Sequence, residues 1–308
     1  MSLLVFSCPP ATGAKIFGMA EKLLVADSFR VRATEAQPAL VRGWDRHRAR
    51  FSSAVKETVG QLSRTGTVPA NDAAQFSSER IERFLTESAA AISGYGEGMP
   101  RLELLLTTAE SVSSHSEAEP GEAAQDKAAP GETTAPGKTV RAKLSLNCNL
   151  RPLPPLQGTQ AITATRALTA GEYRADPHTK GPNIALFKEL TEEAGGEVLL
   201  LDSEGDVLET TTAAVLWWSG ETLCRVDNSR RVPSVTEQLV IECVSELGYK
   251  TARATVTPAA LAAHEVWVVN ALHGIRPVTQ LGGVAAVPVK EARLERIRQA
   301  LDTTWQPL

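Results

Sequence analysis

The sequence predicts an α+β chain built as two domains. Three observations lead there. Extended runs and amphipathic helical stretches follow one another irregularly, without the steady strand–helix alternation of a parallel doubly wound sheet. The 308 residues are long for one domain and comfortable for two of roughly 150. A proline-rich stretch, RPLPPLQG at Arg151–Gly158, reads as an interdomain linker near the middle. The expected domains are residues 1–152 and 153–308.

In the first half, MSLLVFSCPP is apolar and lacks a basic leader, so Leu3–Phe6 reads as a first strand and not as a signal peptide. Leu23–Arg32 also reads as extended. Trp44–Leu62 is a predicted helix, because Phe51, Val55, Val59 and Leu62 recur at helical spacing. Glu79–Ile92 is a second helix. RLELLLT, starting at Arg101, and the alternating Val140–Leu150 are strand candidates. Between them, Ser111–Lys138 is rich in Glu, Ala, Pro, Gly and Ser and has one valine but no leucine, isoleucine or aromatic residue. Such a composition buries too little apolar surface to offset ordering entropy, so residues 111–138 read as a mobile insertion.

In the second half, Asn183–Ala194 reads as a short helix closed by Gly195 and Gly196. Val198–Leu201 is a strand, DSEGD a turn, and Val207–Trp218 contains a further strand, giving a hairpin. Val235–Leu247 is an amphipathic helix closed by Gly248. Thr257 caps a short helix with Pro258 in its first turn. Glu265–Val269 is a strand and Leu294–Thr304 a terminal helix.

Composition narrows the function. The net charge is −4 and the pI about 5.8, and no Lys/Arg block is interleaved with aromatics, which argues against a nucleic-acid partner. No apolar run is long enough to cross a bilayer. Cys8, Cys148, Cys224 and Cys243 show no CxxC or Cys/His ligand spacing, and the five histidines are scattered. Free thiols in a cytoplasmic protein without a metal site are the expectation.

Four elements can carry chemistry. Lys180, in RADPHTKGPN, would by itself be a solvated loop charge; held in a pocket, it could lose its proton and attack an aldehyde. Glu209 is the only charge between Asp206 and Glu221. It is either an outward-facing strand residue or a buried carboxylate in need of a cationic partner. Pro233-Ser234-Val235-Thr236 opens a helix, whose free N–H groups suit a phosphate; Ser234 serves equally well as a plain N-cap. His47 and Arg50 share one helix face, which is either a polar surface or a phosphate-binding one.

In this order, the four elements resemble the class IV aminotransferase family, the fold-type-IV enzymes that include D-amino-acid and branched-chain aminotransferases. Within it, LLLDSEGDVLETTTAAVLWW and AHEVWVVNALHGIRPV are most similar to the lyase branch acting on 4-amino-4-deoxychorismate, and HRARF resembles the family's His-x-x-Arg helix. The resemblance implies pyridoxal 5'-phosphate (PLP) as cofactor, held as a Schiff base on Lys180, which also moves protons. It implies Glu209 at the pyridine nitrogen, Arg50 with the amides of Val235 and Thr236 at the phosphate, and Asn270 and Ala271 on the loop completing that side. It further implies a homodimer and a small amino substrate. The activity is either a lyase reaction releasing pyruvate and forming 4-aminobenzoate for folate synthesis, or transamination between an amino acid and a 2-oxo acid. Some positions depart from the family: Thr210 and Ala214 replace a common Gly and Asn, and Thr107-Thr108 stand where an Arg-Gly pair is usual. The lyases carry an assisting threonine near the Asp27-Ser28-Phe29 segment; here that place falls near Val31, with no threonine until Thr34. Arg30, Arg32 and Arg101 are candidates for a substrate carboxylate.

Overall fold

The computed structural model describes residues 2–6, 16–34, 36, 39–112, 138–169, 171–173 and 176–308. The first half contains β1 (Ser2–Phe6), β2 (Ile16–Ser28), β3 (Val31–Arg32), β4 (Leu40–Arg42), α1 (Trp44–Arg64), α2 (Ala70–Ala74), α3 (Ser78–Tyr95), β5 (Arg101–Val112) and β6 (Lys138–Asn149). An antiparallel sheet in the order β1-β6-β5-β2 forms its floor. Leu102, Leu104 and Leu106 alternate on β5, and Leu144, Leu146 and Cys148 on β6, so one face of the hairpin is apolar. Helices α1 and α3 cover that face with Phe51, Val55 and Val59 and with Ile81, Phe84 and Leu85, the rings of Phe51 and Phe84 lying 6.0 Å apart. Ser77 caps α3 by accepting from the Arg80 N–H.

Strands β5 and β6 pair from Arg101↔Asn149 out to Val112↔Lys138. The expected insertion therefore loses Ser111, Val112 and Lys138 to the ladder, and residues 113–137 lie outside the described residues.

Residues 150–159 contain neither helix nor strand. Beyond them come β7 (Gln160–Ala167), α4 (Ile184–Glu193), β8 (Glu197–Leu201), β9 (Val207–Thr210), β10 (Ala214–Ser219), β11 (Thr222–Val226), α5 (Val235–Glu246), β12 (Lys250–Ala254), α6 (Pro258–Leu261), β13 (Glu265–Asn270), β14 (Gly274–Leu281), β15 (Val284–Ala285), α7 (Glu291–Asp302) and β16 (Trp305–Pro307). A mixed sheet runs β12-β11-β10-β13-β14-β7-β8-β9, with β15 on the edge of β14. Its central strands are buried on both faces, which explains the unbroken apolar run on β10. Val215 and Trp217 point into one core with Ile162, Val266 and Val268, while Ala214, Leu216 and Trp218 point into the other beneath α5 and α7. The three described cysteines, Cys148, Cys224 and Cys243, are buried free thiols.

Several expectations change here. Strand β9 pairs antiparallel with β8 in the expected hairpin, and a further strand, β10, follows after Thr211–Ala213 break the run. Strands β7, β11, β12 and β14 go unpredicted. On β7 only Ile162 is buried, so its sequence lacks an alternating signal despite its place inside the sheet. Finally, β16 returns to pair with β4, so the chain ends against the first half.

Candidate active site

A cavity of about 600 Å³ opens between the two halves, and the seven residues that the resemblance gives to the cofactor all line it: Arg50, Lys180, Glu209, Val235, Thr236, Asn270 and Ala271. Backbone geometry brings Lys180 there. Its carbonyl accepts from the Ala26 N–H at 2.7 Å, so the loop rests on β2. Gly181 permits this approach: with φ 140°, a Cβ there would lie 2.8 Å from the Ala26 nitrogen. Burial, with Arg50 nearby, lowers the Lys180 ammonium to about 8.

Glu209, at the end of β9, is buried and accepts from the Val232 N–H at 3.3 Å. Burial outweighs this bond and the pull of Arg231, raising its carboxyl to about 8. Arg231 itself is engaged by Glu237, at 2.6 and 2.8 Å. Glu209 is thus a buried acid with no ion pair of its own among the described residues, suited to a protonated ring nitrogen.

Gly43 caps the start of α1, and a Cβ there would meet Val235 and Leu239 at 3.0 and 3.2 Å, so the helix start packs closely on α5. This sets Arg50 at the N-terminus of α5, with Nη1 donating to the Pro233 carbonyl at 2.7 Å. Ser234 caps α5 by accepting from the Glu237 N–H. Val235 and Thr236 contribute first-turn amides, which have no intrahelical acceptor.

Asp27, absent from the expected site, underlies this arrangement. It is fully buried and accepts from Arg50 Nε and Nη2, both at 2.8 Å, and from His47 Nδ1 at 2.7 Å. Burial by itself would raise its carboxyl; Arg50 and His47 prevail and hold it at about 2. The signal was available: Asp27 interrupts the apolar run LLVADSF, as Glu209 interrupts its own strand.

The turn Thr210–Ala213 forms another wall. Buried Glu197 accepts from the Thr212 N–H at 2.8 Å and from both the Thr211 and Thr212 hydroxyls. Asn270 Nδ2 donates to the Thr212 carbonyl at 3.3 Å, and its Oδ1 accepts from the Leu272 and His273 N–H groups. Asn270 thereby braces two cavity loops. Glu197→Ala would strand these donors, and a loss of about 1–3 kcal/mol is expected. Urea unfolding, together with the rate of PLP loss, measures it.

The model of the family described as amino-transferase class IV matches residues 24–281. The chain belongs to the class IV aminotransferases. Solved structures agree with that membership at the level of fold. The 4-amino-4-deoxychorismate lyase from Pseudomonas aeruginosa is 21% identical with a TM-score of 0.58, the match covering 97% of this chain and 98% of that one. The branched-chain amino acid aminotransferase from Escherichia coli is 15% identical with a TM-score of 0.60, over 89% and 82%. A hypothetical aminotransferase from Mycobacterium tuberculosis in its PLP-bound form is 16% identical with a TM-score of 0.55, over 92% and 88%. No curated protein matches the sequence.

As a class IV aminotransferase the chain is a PLP-dependent enzyme of fold type IV. The cavity fits that cofactor on three counts: a lysine with a lowered pKa, a buried carboxylate without an ion pair, and a cationic helix N-terminus.

The substrate side differs from expectation. Val31 is fully buried in the first-half core, so it is no counterpart of a catalytic hydroxyl. Ser28 lines the cavity instead, three residues earlier, because β2 ends there and β3 turns away. Of the three arginine candidates only Arg101 reaches the cavity, and Glu103 pairs with it. Arg32 is exposed, and Arg30 lies near Glu97 and Trp305. Arg151, unpredicted because it opens the linker, also lines the cavity. It donates to the Met99 carbonyl at 3.0 Å and to Ser28 Oγ at 3.2 Å, with no ion pair among the described residues.

Proposed function

We propose that this enzyme is a 4-amino-4-deoxychorismate lyase, releasing pyruvate and forming 4-aminobenzoate for folate synthesis. The observation that carries the reading is the Ser28–Arg151 pair on the cavity wall. Ser28 lies two residues beyond Ala26, whose N–H holds the Lys180 carbonyl, and this hydroxyl-bearing residue lines the same cavity as the lysine. Arg151 supplies a cation without a carboxylate partner, as a substrate bearing two carboxylates requires. The near-complete mutual coverage with the Pseudomonas lyase supports it, as do the LDSEG and NAL segments.

When bound, PLP supplies an aldehyde that condenses with amines and a ring that accepts electron density from the attached carbon. Lys180 would hold it, and Lys180 Nζ would then move the proton at the reacting carbon. The Glu209 carboxyl would share a proton with the ring nitrogen. Arg50 and the Val235 and Thr236 amides would hold the phosphate, while the Asn270-Ala271 loop closes that side. The Ser28 hydroxyl would assist proton delivery to the departing group. The two domains meet at this cavity, with a boundary proposed at 152/153; a homodimer is part of the same proposal, tested by sedimentation.

The decisive assay is pyruvate release from 4-amino-4-deoxychorismate by the PLP-loaded protein, coupled to lactate dehydrogenase. A yellow, PLP-loaded protein releasing no pyruvate would favour transamination, to be followed by a screen of amino donors. Ser28→Ala is expected to lower kcat about 10²-fold without changing the bound cofactor's absorbance. Unchanged kcat would remove Ser28 from the reaction.

A further inference from the structure

His273 follows Asn270-Ala271-Leu272 on the cavity loop, and it lines the cavity itself. Its Nδ1 accepts a hydrogen bond from the Gln157 backbone N–H at 3.2 Å. An imidazole nitrogen that accepts carries no proton, so the neutral ring bears its proton on Nε2. Gln157 itself does not line the cavity. Nε2 has no hydrogen-bond partner among the described residues, and it is not sealed from solvent. The Asn270 side chain holds the His273 N–H at 2.9 Å, which fixes the ring's point of attachment.

The surroundings are cationic. Arg276 on β14 is 2% exposed, donates to Gln157 Oε1 at 3.1 Å and also to Gln160 Oε1, and leaves Nε and Nη2 without partners among the described residues. No carboxylate pairs with it there. Burial, with Arg276 and Arg30 near, pushes His273 down to about 4, so the ring is neutral across the working range and its tautomer is constant. A neutral donor beside Arg276, a buried guanidinium that feels Glu197 electrostatically but forms no ion pair among the described residues, attracts an anion without the desolvation cost of a further buried cation.

We infer that His273 is a specificity-determining residue that donates from Nε2–H to a carboxylate of the substrate, with Gln157 as the positioning residue that sets its tautomer. This rests on the cavity being the site of the proposed reaction, and it adds a carboxylate contact distinct from Arg151.

The test is calorimetric binding of 4-aminobenzoate and of maleate to the PLP-loaded wild-type protein and to its His273→Leu and His273→Gln variants. Cofactor absorbance and melting temperature serve as folding controls. Loss of a hydrogen bond to a charged group should raise Kd about tenfold in His273→Leu, with partial recovery in His273→Gln, which keeps an N–H donor. Equal Kd values in wild type and His273→Leu, or no binding of either probe to the wild type, would overturn the inference. His273-dependent binding of maleate without binding of 4-aminobenzoate would uphold it while counting against the lyase reading, which the pyruvate assay judges separately.

Discussion

Lys180→Ala is expected to abolish the borohydride-fixable attachment of PLP and to lower pyruvate release by about 10⁴-fold. The reason is positional as well as chemical. The Lys180 carbonyl is tied to Ala26, and Gly181 lets the loop lie on the β2 backbone, so this lysine is fixed at the cavity wall. A value near 8, below the ordinary 10.5, makes the neutral amine available from about pH 8 upward. PLP uptake by the cofactor-free protein should therefore rise with pH through about 8. The stability effect has the opposite character. A base whose folded pKa is depressed costs stability as pH falls below 10.5, and the cost is full and constant below 8. Removing the amine relieves it, so at pH 7 the Lys180→Ala variant should unfold in urea no earlier than wild type. Borohydride labelling of a different lysine in the wild type would refute the assignment.

Asp27→Ala is expected to be the most damaging change to stability. It removes the one carboxylate shared by Arg50 and His47 at a fully buried position, and breaking such a group costs about 3–5 kcal/mol. Arg50 would then lose two of the hydrogen bonds that aim it at the start of α5, so PLP affinity should fall together with stability. Equilibrium unfolding and PLP titration measure the two effects. The pH dependence follows from the depressed carboxyl. Asp27 contributes fully above its ordinary 3.8, and the contribution disappears as pH falls through about 2. The wild type should therefore lose this stability between those values, and Asp27→Asn should flatten that part of the curve. A variant as stable as wild type at pH 7 would show that Asp27 does not hold the arrangement together.

Asp27 also shows why part of the site was not legible in the sequence. Lys180, Glu209, Arg50 and the start of α5 each carried a local mark: a glycine-flanked lysine, a lone charge in an apolar strand, a shared helix face, a helix N-terminus. Their ordered resemblance to one family did the rest. Contacts between segments far apart in the chain carry no such mark. Glu197 reads as an ordinary strand-start acid until Thr211 and Thr212 fold back on it. Arg151 reads as a linker residue until the Met99 carbonyl orients it. His273 reads as a loop histidine until Gln157 selects its tautomer.

The sequence by itself determined the α+β class, the main helices, the β5 and β6 strand segments and the family, because apolar period and turn chemistry are local and repeat within a few residues. It also singled out seven residues that the structure places around one cavity. Only the tertiary structure decided which hydroxyl and which arginines face the cavity, replacing Val31 with Ser28 and adding Arg151. Those choices depend on where β2 ends and how residues 150–159 cross between the halves. Such facts are set by long-range packing and hydrogen bonding, which no short stretch of sequence encodes.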